Sequence, residues 1–178
     1  SYFTQSMHQK AQTRLRLMND MRGALEGQQF ELYYQPIVDL ETDGITKIEA
    51  LIRWNHPVKG LVSPVDFIPL AEESGLIIEI GDWVFKQAAQ QVKSWRTTYN
   101  ANLQMSINQS PVQFRVATDC DEWLSFLKEI DLSGEAIAIE ITEGLLMDNA
   151  ANISYQLLQY RDAGIQVSMD DFGTGYSA

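Results

Sequence analysis

The chain has 178 residues, 45% of them hydrophobic and 10% aromatic, with 13 Lys+Arg against 24 Asp+Glu and a formal charge of −11. That length and apolar content suit a folded domain with a substantial core and argue against a disordered chain. The acidic balance argues against gripping duplex nucleic acid or anionic lipid, and one cysteine (Cys120) with two histidines (His8, His56) leaves too few ligands for structural zinc.

Residues 1–27 hold four basic side chains (Lys10, Arg14, Arg16, Arg22) against Asp20 and Glu26. From Ser6 to Leu25 they are rich in helix formers, with Leu15, Met18, Met21 and Leu25 at helical spacing and Gly27 as a stop. The segment reads as a leading or connecting helix that stands apart from the next core. Strand-like runs follow at Phe30–Val38 and Ile45–Trp54, joined by Glu41-Thr42-Asp43-Gly44. So short a connection predicts an antiparallel hairpin, because parallel strands need a crossover.

Ser63-Pro64 opens a helix to Ser74, and a second helix is expected from Asp82 to about Thr97, with Trp83, Val84, Ala88, Val92 and Trp95 on one face. Strands are predicted at Leu103–Asn108, Ile137–Thr142 and Gln166–Asp171, separated by helices at Asp119–Ile130 and Asn152–Ala163. Alternation of this kind predicts right-handed βαβ units and a parallel sheet, in a barrel or an open α/β fold.

Polar residues gather at the strand ends. Glu49 interrupts the second strand, Asn108 closes the third, Glu140 and Glu143 mark the end of the fourth, and Asp170 and Asp171 end the fifth. In an α/β barrel these ends and the loops after them form the active-site face. Each residue alone has an ordinary explanation as a solvent-facing or turn residue. All of them together are better explained by one pocket. Clustered carboxylates with an amide, and no His or Cys, favour a hard divalent cation such as Mg²⁺ or Mn²⁺.

Other candidates are weaker. Arg53 follows Glu49 by four residues, on the same side of a strand, and could meet an anionic substrate. His56 reads as a turn filler. Cys120, between Asp119 and Asp121, is a poor nucleophile, because neighbouring negative charge opposes thiolate formation. Gly173-Thr174-Gly175 lacks the spacing of a phosphate-binding P-loop.

With these residues in view, the chain resembles the EAL domain, the phosphodiesterase family that acts on cyclic di-GMP. The signature stands as Glu49-Ala50-Leu51 within Ile48–Trp54, after Tyr33-Tyr34-Gln35-Pro36-Ile37-Val38. Further along come Pro64-Val65-Asp66-Phe67-Ile68-Pro69, Ser106-Ile107-Asn108-Gln109-Ser110, Glu140-Ile141-Thr142-Glu143 and Asp170-Asp171-Phe172-Gly173-Thr174-Gly175. The resemblance covers roughly residues 28–178. It implies a modified TIM barrel, an α/β fold with an antiparallel first strand, of which only the first part is present here.

It also implies a two-metal site for Mg²⁺ or Mn²⁺. Glu49, Asn108, Glu140, Asp170 and Asp171 would be ligands, with Glu49, Asp170 and Asp171 acting in catalysis through the metals. Gln35, Leu51 and Arg53 would contact the dinucleotide, and Glu143 would hold the loop that begins at Asp171. The implied reaction is hydrolysis of one phosphodiester bond to linear pGpG. A homodimer is implied by the loop at 171–177. Residues 1–27 resemble the end of an upstream GGDEF (diguanylate cyclase) domain and its connector, with a generic linker helix as the alternative.

The family's lysine and water-activating glutamate would lie beyond Ala178, so the 178 residues read as a piece of a longer, cytoplasmic signalling protein. Any membrane anchor would belong to that parent, because no run here nears the ~20 apolar residues that span a bilayer. The parent is expected to be active and the piece inactive. Competing readings are a catalytically silent cyclic di-GMP receptor, a dimerising regulatory module, and another Mg²⁺-dependent barrel enzyme.

Overall fold

From Gln104 to Asp170 strands and helices alternate, and the strands lie parallel. The computed structural model describes residues 2–116, 118–146 and 151–170. Helix α1 spans Tyr2–Arg22, strands β1, β2 and β3 span Phe30–Val38, Ile45–His56 and Gly60–Val62, and helices α2 and α3 span Pro64–Ser74 and Ile77–Thr98. Then follow β4 (Gln104–Asn108), α4 (Thr118–Glu129), β5 (Ile137–Thr142), α5 (Glu143–Leu146), α6 (Ala151–Asp162) and β6 (Gln166–Asp170), with 3₁₀ turns at Gln113–Arg115 and Gly134–Ala136. No helix among the described residues is long and apolar enough to cross a membrane.

The chain divides into two compact units. The first comprises residues 1–31 and 52–80, the second residues 32–51 and 81–178.

In the first unit the aromatic rings of Phe30, Trp54 and Phe67 meet with centroids 5.6–5.8 Å apart. Trp54 is fully buried, and its indole N–H donates to Gln29 Oε1 at 2.9 Å, so the ring is packed without stranding its donor. Leu17, Met21 and Ala24 are buried in the same unit, where α1 packs against α2. The last turns of the leading helix therefore belong to a core, contrary to the expectation that the segment stands apart. Residues 2–16 remain exposed. His56 is buried; its Nδ1 accepts the Val58 and Lys59 backbone N–H groups, and its Nε2 lies 2.8 Å from Asp20 Oδ2. It fills the β2–β3 turn, as the sequence indicates, and also ties that turn to α1.

In the second unit the sheet order is β1-β2-β4-β5-β6. The short connection 39–44 returns the chain from β1 to its neighbour β2, closed by an Asp39 N–H to Gly44 carbonyl bond of 2.9 Å. Along the path β2-β4-β5-β6 every neighbouring pair is parallel, whereas β3 pairs antiparallel with β2. Ile48, Ala50, Met105, Ile107, Ile137, Ile139 and Ile141 alternate along these strands and are buried. Val84, Phe85, Ala88, Ala89 and Val92 of α3 are buried too, and Phe85 stacks on Trp123 of α4 with centroids 4.2 Å apart.

Helix α3 starts at Ile77, five residues before the expected Asp82. Gly81 sits inside the helix. Its missing side chain makes room for Gln113, because a Cβ there would come within 2.0 Å of Gln113 Nε2.

Candidate functional site

Strand register places the polar residues on one face. Glu49 lies opposite Ser106, and Ser106 opposite Ala138; one step further Asn108 lies opposite Glu140, and Glu140 opposite Ser168. Directly paired residues point to the same side of a sheet, and every second residue shares that side. Lys47, Glu49, Ser106, Asn108, Glu140 and Ser168 therefore share a face opposite the isoleucine-rich one.

The side chains meet across the strands. Asn108 Nδ2 donates to Glu49 Oε1 at 3.0 Å. Lys47 Nζ stands 3.7 Å from Glu140 Oε1, a half-buried ion pair that offsets part of the negative charge. The Ser106 and Ser168 hydroxyls are buried with no hydrogen-bond partner. Buried polar atoms without partners are costly, so they mark a polar environment and not a dry barrel core.

Glu49, Asn108 and Glu140 are thus brought together at neighbouring strands. Thr142 pairs with Asp170, the last residue of β6, while Asp171 lies outside the described residues. Gln35 is exposed on β1, beside β2, and Leu51 is half-buried on β2. Arg53 falls in the other unit, where its guanidinium donates to the Ile52 carbonyl at 2.8 Å. Glu143 is exposed at the start of α5, and the loop it was expected to support lies outside the described residues.

No three His, Cys, Asp or Glu side chains among the described residues stand close enough to hold a metal ion. The donors that do converge are carboxylate and amide oxygens, which suits Mg²⁺ or Mn²⁺ and not a softer metal. Cys120 is fully buried, and its thiol is pushed up to about 11, first by burial and then by the Asp121 charge, against an opposing hydrogen bond with Tyr160. It is no nucleophile. Lys47, Ser106 and Ser168 were missed in the sequence. The signal was there, since each lies two residues before a candidate ligand.

A sheet of parallel strands, with an added first strand and acidic residues at the strand ends, is the first part of a TIM-like barrel. The chain belongs to the EAL domain family, which matches residues 18–178. It is 39% identical over 177 residues to the bifunctional diguanylate cyclase/cyclic di-GMP phosphodiesterase MucR of Pseudomonas aeruginosa, covering 99% of this chain and 26% of that protein. It is 38% identical over 176 residues to the cyclic di-GMP phosphodiesterase PdeR of Escherichia coli, covering 99% of this chain and 26% of that protein. A solved structure of the Pseudomonas MucR phosphodiesterase in complex with c-di-GMP superposes with a TM-score of 0.84 at 39% identity, covering 92% of this chain and 66% of that one. The chain thus spans about a quarter of the length of these curated relatives.

Proposed function

We propose that the protein containing this chain hydrolyses one phosphodiester bond of cyclic di-GMP, giving linear pGpG, with Mg²⁺ or Mn²⁺ as cofactor. The observation that carries this reading is the convergence of Glu49, Asn108 and Glu140 on one polar face of the sheet. Together with Asp170 and Asp171 they are the residues that would hold two ions. Bound metal supplies charge neutralisation at the phosphate and an activated water.

The remaining residues bind and orient. Gln35 and Leu51 contact the dinucleotide, Arg53 engages its phosphate, and Glu143 supports the loop from Asp171. A dense negative face would repel an anionic dinucleotide in the absence of cations; with them it becomes the means of binding it.

The test is pGpG release by the full-length protein in Mn²⁺, measured against Glu49→Ala. Losing an outer partner of a metal site costs ~10–100-fold, so removing a carboxylate ligand is expected to exceed about a hundredfold. A wild-type protein that binds cyclic di-GMP tightly without hydrolysing it would sink the catalytic reading in favour of a receptor.

A further inference from the structure

Behind the polar face, the loop that follows Asn108 is pinned by buried polar groups. Gln109 is the next residue, and its backbone N–H donates to the Glu140 carbonyl at 2.9 Å. Its side chain turns into the core, where Oε1 accepts the Tyr160 hydroxyl at 3.0 Å. Gln109 and Tyr160 are both buried, and Gln109 Nε2 has no partner. Four residues before Tyr160 on the same face of α6, Gln156 donates from Nε2 to the Phe114 carbonyl at 2.8 Å. One helix therefore holds the loop at both ends.

A role in packing alone does not account for this arrangement. A leucine at 109 would fill the core and leave no orphaned amide, whereas glutamine strands one donor there. What glutamine adds is direction. Its backbone is joined to Asn108 by a peptide bond and to Glu140 by a hydrogen bond, while its side chain is fixed by a phenol on a rigid helix.

We propose that Gln109 and Tyr160 are positioning residues for the metal-binding face, holding Asn108 and Glu140 in the spacing that binding requires. The inference rests on the metal-dependent reading above. Both act through the backbone between the two ligands.

The experiment is Mn²⁺ titration by calorimetry on the full-length protein, comparing wild type, Tyr160→Phe and Ile153→Val, a core change on the same helix. Outer partners of metal ligands typically matter ~10–100-fold, so Tyr160→Phe is expected to weaken Mn²⁺ binding about tenfold while Ile153→Val leaves it unchanged. A folded Tyr160→Phe protein that binds Mn²⁺ within about twofold of wild type would overturn the proposal, since the same outer-partner effect is then missing. Should Tyr160→Phe not melt cooperatively, Gln109→Leu removes the same bond and is judged by the same criterion.

If wild type takes up no Mn²⁺, the metal-dependent reading fails by itself. The clamp is then decided by hydrogen exchange in metal-free protein. Faster exchange at the Gln109 amide in Tyr160→Phe supports it, and an unchanged rate rejects it.

Discussion

Cys120 shows how far one side chain's surroundings set its chemistry. The thiol is fully buried, and burial raises its pKa from the usual 9.0 to about 11. Between these values an unfolded chain has lost the proton that the folded chain keeps, so the unfolded state binds fewer protons. Stability therefore falls as pH rises through this window, by up to about 1.4 kcal/mol per pH unit. Cys120→Ala removes this dependence, and the stability gap between wild type and variant is expected to narrow from pH 8.5 to 10.5 in urea melts. A gap that stays constant would show that the folded thiol titrates normally. The poor nucleophilicity of Cys120 was legible from Asp119 and Asp121 beside it. Its contact with Tyr160 was not, because that contact joins α4 to α6 across 40 residues of chain. The Asp20–His56 pair in the first unit was hidden for the same reason, although His56 itself read correctly as a turn residue.

Elements were legible wherever their periodicity ran long enough. The bounds of β1, α2 and β5 match the expected ones, since each combines a clear apolar pattern with a definite start or stop signal. The 3₁₀ turn Gly134–Ala136 and the three-residue β3 are too short to carry a period, and neither was anticipated. That turn is nonetheless tightly placed. A Cβ on Gly134 would come within 2.0 Å of the Ala163 carbonyl oxygen, which belongs to the backbone just after α6 and cannot simply rotate away. Overpacking of this kind costs about 1–3 kcal/mol. At roughly 2–4 °C of melting temperature per kcal/mol for a protein of this size, Gly134→Ala is expected to lower Tm by several degrees. Gly144→Ala, whose Cβ would meet nothing within 4 Å, serves as the control and should leave Tm unchanged or slightly raised. Equal effects at the two glycines would count against this reading of the turn.

At the scale of the whole molecule, family membership was readable from motifs in order, whereas the division into two compact units was not. Its border runs through the middle of β2, between Leu51 and Ile52, where no change of composition marks it. Glu49 and Arg53 stand on the same strand, one on each side of that border, so β2 contributes residues to both units. β6 has β5 as its one strand neighbour among the described residues, so it lies at the edge of a parallel sheet. Parallel sheets are ordinarily covered on both faces, and an edge strand presents a row of backbone groups available for further pairing. The two faces of the sheet also place different demands on descent. On the isoleucine face, residues such as Ile107 and Ile139 can be exchanged for others of similar volume, and a lineage can drift there while the fold persists. On the opposite face, a change at Glu49, Asn108 or Glu140 alters charge or donor chemistry, so tolerance of substitution is expected to alternate from one residue to the next along the same strand.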